Sequence, residues 1–76
     1  QENNFLRRHQ HIYISLTARE KEVLKLMALG YSAQELAARL YISEATASTH
    51  RRNIKSKIGA QSNYDITQFA QAFNII

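Results

Sequence analysis

The sequence predicts an all-α domain of four helices, two of which form a helix-turn-helix. Three observations carry this. Thr17-Ala-Arg-Glu20, Ser32-Ala-Gln-Glu35 and Ser62-Asn-Tyr-Asp65 each place a hydroxyl three residues before a carboxylate. That pattern satisfies free backbone N–H groups at a helix start. Apolar residues after each signal recur at three- and four-residue intervals, the spacing of one helix face. The chain has no Pro and two Gly, which suits helices joined by short turns.

Residues 1–15 are mixed and polar, with Arg7, Arg8, His9 and His11 and no clear period. They are expected to form a linker or N-terminal arm, with at most a short ordered piece near Tyr13 and Ile14, leaving residues 16–76 as the domain. The first expected helix opens at Thr17, buries Val23, Leu24, Leu26 and Met27, and ends at Gly30, which can adopt the left-handed conformation of a helix terminus. The second opens at Ser32 and turns Leu36, Ala37 and Leu40 inward. Tyr41 and Ile42 make a tight turn. Ser43 caps the third helix, about 44–58, which stops at Gly59. Ser62 opens the fourth, with Ile66, Phe69, Ala70 and Phe73 on one face. The short link between the second and third helices is the length a helix-turn-helix uses.

At 76 residues the chain is one small domain, near the lower size at which an apolar core suffices. Without Cys it has no disulfide or thiolate metal site, and a reducing compartment is permitted. No run is long enough to span a bilayer and no signal peptide is visible. The first residue is Gln1 rather than Met, so the chain is expected to be a fragment whose preceding domain is missing. There is no Gly-rich phosphate loop and no Cys nucleophile, and the acids sit mainly at helix starts, where capping explains them. No enzyme activity and no cofactor are expected. His9-x-His11 has ligand spacing, but nothing else completes a metal site. His50, between Ala47 and Ile54, is expected to be a packed structural residue.

The third helix carries the functional signal. Ala47, Ile54 and Ile58 share one arc, while Ala45, Ser48, Thr49, Arg52 and Ser56 share the opposite one. Small side chains let a helix approach a surface closely, and one long guanidinium can reach into it. The net charge is +4, and between Glu44 and Asp65 there are four cations (Arg51, Arg52, Lys55, Lys57) and no acid. Past Ile58 there is no Lys or Arg. The positive field is thus focused on one helix, which favours a polyanionic partner. A DNA major groove admits such a helix.

On that reading Arg52 contacts bases, with Ser48 and Thr49 beside it. Arg51 and Lys55 lie on the flank, where phosphate contact or simple solvation both fit. Lys57 is placed either for phosphate or for an ion pair with Glu20 or Glu22. Thr46 sits in the first turn, with phosphate contact and core packing as its alternatives. Ser32 and Gln34 open the helix that would cross the DNA backbone, although Ser32 is also a plain cap.

From Leu16 to Gly59 the chain resembles the DNA-binding domain of LuxR-type and NarL-type (GerE-type) bacterial transcription regulators. The marks are Leu16-Thr17-x-Arg19-Glu20-x-Glu22-Val23-Leu24, Gly30, Glu35-x-Ala37, Ile42-Ser43-x-x-Thr46, His50, Asn53-Ile54 and Lys57-x-Gly59. The resemblance implies that the third helix reads double-stranded DNA and that the fourth commonly pairs two copies. Tyr64, Asp65, Gln68 and Ala72 are the candidates for that pairing surface. It also implies a phosphoacceptor or ligand-sensing domain ahead of this one, and a cytoplasmic location goes with it. Three departures from the pattern stand out. Ala47 replaces the usual Val, Ser48 the usual Lys, and Asn63-Tyr64 stand where Arg is common. Two other readings compete: a protein-interaction module of the same fold with weak or lost DNA binding, and a structured-RNA binder. The narrow A-form major groove disfavours the latter.

Overall fold

The structure, a computed structural model, describes residues 2–76, with side chains from Phe5 onward. It contains five helices: α1 (Glu2–Ser15), α2 (Ala18–Ala28), α3 (Ala33–Leu40), α4 (Glu44–Ile58) and α5 (Asn63–Ala72). The described residues contain no strand. α3 packs chiefly on α4, α2 sits against α4 and α5, and α1 lies on α4 and α5. The core is built from the positions that the periodicity selects, with Val23, Leu24, Leu36, Ile54, Ile66 and Phe69 at its centre, each no more than 2% exposed.

Helix α1 is the difference from the sequence expectation, which had an irregular arm there. Its inner face is Phe5, His9, Ile12 and Tyr13, a helical spacing hidden by counting His as polar. The Phe5 and His9 rings stack at 4.2 Å, and the His9 Nδ1–H donates to the Phe5 carbonyl at 2.9 Å. Both rings meet Phe69 edge-on, at 6.5 and 6.0 Å. Tyr13 stacks on Phe73 at 4.6 Å, and the Lys21 ammonium sits 4.3 Å above the Tyr13 ring. Tertiary contacts with distant aromatic residues override a weak local helix signal.

Two capping boxes form in full. The Glu20 and Glu35 N–H groups donate to Thr17 Oγ1 (3.1 Å) and Ser32 Oγ (3.2 Å), and the carboxylates accept from the Thr17 and Ser32 N–H groups at 2.9 and 2.8 Å. The third forms by half, which corrects the sequence reading. Ser62 Oγ accepts from the Asp65 N–H at 3.3 Å, but Asp65 Oδ2 accepts from the Gln61 N–H at 3.0 Å, not from Ser62. An Asp, one methylene shorter than Glu, takes a different donor here.

Lys57 makes one of its two expected ion pairs. Its ammonium donates to both Glu20 carboxylate oxygens, at 3.0 and 3.3 Å. Glu22 pairs instead with Arg19 at 3.9 Å. The Lys57–Glu20 pair ties the end of α4 to the start of α2. The Thr17 N–H, and then Lys57, hold the Glu20 carboxyl below its ordinary value. A lowered folded-state value means stability that is complete above the ordinary Glu range and lost as pH falls through the folded value. Glu20→Gln is therefore expected to be less stable than wild type at neutral pH, with the gap closing in acid. Thermal melts from about pH 7 to about pH 3 check this, and a gap constant across that range would show that the carboxylate charge contributes nothing.

Candidate nucleic-acid interface

Helix α4 runs from its cap at Ser43 to Gly59, whose φ of 72° closes it in the left-handed region. Ser43 Oγ accepts from the Thr46 N–H at 3.1 Å and donates to Thr46 Oγ1 at 2.9 Å. One side of α4 is buried, with Ala47 1%, Ile54 0% and Ile58 7% exposed. Ala45, Ser48, Thr49, Arg52 and Ser56 are all exposed on the other. The three expected base-contacting residues therefore share one open stripe.

The stripe's hydroxyls differ in what they can offer. Thr49 Oγ1 donates its proton to the Ala45 carbonyl at 3.0 Å. Outward, Thr49 presents acceptor lone pairs and a methyl group, not a donor. Ser48 makes no side-chain hydrogen bond among the described residues and can do either. Thr46 is exposed, so core packing does not describe it, and with its oxygen already accepting from Ser43 its proton can point outward.

On the flank, Arg51 and Lys55 are half-buried. Arg51 Nε is enclosed without a hydrogen-bond partner among the described residues, so the outer nitrogens of its fork carry any external contact. Lys57 is engaged with Glu20, so a phosphate would have to compete for it. That leaves Arg51, Arg52 and Lys55 as the α4 cations with no ion pair among the described residues. At the start of α3, Ser32 and Gln34 are exposed. Glu35 already accepts from the Ser32 N–H, and that bond holds its carboxyl below the ordinary value. The same carboxylate weakens this helix start as an anion site.

His50 is half-buried on the side of α4. On α5, Tyr64 and Gln68 are exposed and joined by a Gln68 Nε2–H to Tyr64 Oη bond of 3.0 Å. Asp65 and Ala72 are half-buried, and the exposed row from Tyr64 and Gln68 continues to Gln71. Sequence reasoning passed over Gln71, although it falls seven residues after Tyr64, on the same helix face. It placed Tyr41 in the turn between α3 and α4 but gave no role to its side chain, which is 95% exposed.

The profile of a family described as "Bacterial regulatory proteins, luxR family" matches residues 14–70. The chain belongs to this LuxR family. The family comprises helix-turn-helix, DNA-binding transcription regulators, and in this LuxR-type domain α3 and α4 are joined by a three-residue link. The domain is similar to the response regulator protein VraR of Staphylococcus aureus strain Mu3, with 38% identity over 73 residues. The VraR of Staphylococcus epidermidis matches equally, at 38% over 73 residues. Each match covers 96% of this chain and 35% of the relative, so the chain spans about a third of the length of these regulators. No solved structure matches the chain. No helix among the described residues is long and apolar enough to cross a membrane.

Proposed function

We propose that this LuxR-type domain binds double-stranded DNA sequence-specifically as part of a bacterial transcription regulator, with α4 in the major groove. The observation that carries the reading is the open stripe of Ser48, Thr49 and Arg52, directly opposite the buried Ala47, Ile54 and Ile58. Arg52 is the long side chain, suited to a bidentate contact with guanine O6 and N7. Ser48 and Thr49 read flanking base edges, Thr49 as acceptor or through its methyl. Arg51 and Lys55 neutralise phosphates beside the groove, and Thr46, Ser32 and Gln34 are the neutral backbone contacts. Lys57 joins them only by leaving Glu20.

Two copies related by a dyad would place two α4 helices about one helical turn of DNA apart. The α5 row around Tyr64 and Gln68 is the surface for that pairing, with Asp65 and Ala72 at its margin. The response regulators that the chain resembles are about three times its length. The chain fits the DNA-binding part of such a protein, under the control of a preceding regulatory domain.

Titration of a fluorescent duplex at several salt concentrations tests the reading. The two α4 cations assigned to phosphates, Arg51 and Lys55, which have no ion pair among the described residues, predict a log–log slope of roughly −2, at about −0.9 per phosphate neutralised. A flat salt dependence, or no binding at low salt, would count against DNA as the partner and for a protein-interaction module.

A further inference from the structure

Tyr41 ends α3 with φ 58° and ψ 44°, in the left-handed region. A side chain with a Cβ is strained there, and glycine is not. The other positive-φ positions among the described residues are Gly30, Gly59 and Asn74, residue types that tolerate this conformation. Among the described residues, Tyr41 is the one bulky side chain held in it. The Tyr41 side chain gives nothing back to the fold. It is 95% exposed, and it makes no side-chain hydrogen bond among the described residues. A residue that strains the backbone and packs on nothing has its use outside the domain.

Its position says what it can meet. Tyr41 lies in the link of the helix-turn-helix, two residues before the Ser43 cap of α4. The N-terminal end of a recognition helix is the end that meets the base edges, while the helix before it crosses the backbone. A phenol at this corner has the reach and the donor for a phosphate oxygen, and tyrosine is among the side chains that bind DNA phosphates. The nearby Arg39 is turned elsewhere, its guanidinium 4.5 Å above the Tyr31 ring. We propose that the Tyr41 hydroxyl donates to a phosphate flanking the groove and fixes the angle at which α4 enters. The inference rests on the DNA-binding reading above and adds to it a contact residue that the helix faces alone do not reveal.

The test compares wild type, Tyr41→Phe, Tyr41→Gly and Arg52→Ala on two fluorescent duplexes, one recovered by selection from a random pool and one of unrelated sequence. Tyr41→Phe and Tyr41→Gly are each expected to weaken both duplexes about fivefold, the size of one hydrogen bond. The salt slope stays unchanged, because a neutral phenol releases no counterion. Tyr41→Gly is also expected to melt about 4 °C higher, the left-handed strain having been removed. A Tyr41→Phe domain that binds like wild type overturns the phosphate contact, and a Tyr41→Gly domain that melts no higher removes the strain argument. If wild type binds and Arg52→Ala loses preference while both Tyr41 variants bind normally, only the Tyr41 assignment falls. If wild type binds neither duplex, the DNA reading falls and takes Tyr41 with it.

Discussion

Truncating Phe69 to alanine is expected to remove a large share of the domain's folding stability, about 3–5 kcal/mol. Phe69 is 2% exposed, and its ring meets those of Phe5, His9 and Phe73, the last at 4.8 Å. Buried Phe→Ala changes cost about 3–5 kcal/mol, because the lost transfer energy and the cavity add. A domain of this size holds roughly 4–11 kcal/mol in total. The substitution therefore removes a large share of the stability, and α1 loses the ring that both Phe5 and His9 lean on. Urea unfolding followed by circular dichroism checks this, with Phe69→Leu as the milder companion. A loss below about 1 kcal/mol for Phe69→Ala would mean that the α1–α5 cluster is peripheral and collapses easily around the gap.

The second large effect is on recognition, not on folding. Arg52→Ala is expected to abolish discrimination at one base position, worth about 1–3 kcal/mol, while the phosphate contacts of Arg51 and Lys55 keep the salt slope near its wild-type value. Arg52 is exposed with no ion pair among the described residues, so its removal should leave stability within about 0.5 kcal/mol. Arg52→Lys separates charge from geometry: it keeps the charge but does not restore the preference, since an ammonium lacks the planar fork. Competition between matched and mismatched duplexes reads this directly. Undiminished preference in Arg52→Ala would transfer base reading to Ser48 and Thr49 alone.

Much of this was legible in the chain. The Thr17–Glu20 and Ser32–Glu35 boxes are local, three residues apart, and side-chain length decides them. The inner face of α4 follows from spacing, because Ala47, Ile54 and Ile58 are short aliphatic residues in a polar helix. What escaped depends on distant partners or on a broken local rule. Helix α1 is ordered by Phe69 and Phe73, far along the sequence, and its own inner face includes a histidine. Whether Lys57 would choose Glu20 or Glu22 turned on the crossing of α2 and α4. Asp65 repeats a capping pattern but binds the Gln61 N–H. Tyr41 occupies a position where turn chemistry calls for glycine, so nothing local announced its left-handed backbone.

The family match opens at residue 14, beyond the whole aromatic face of α1. A recombinant fragment trimmed to that boundary would discard Phe5, His9, Ile12 and Tyr13 and wet the rings of Phe69 and Phe73. Such a trimmed protein would be prone to clump or to fray, and its failure would say more about where the cut was made than about what the domain binds.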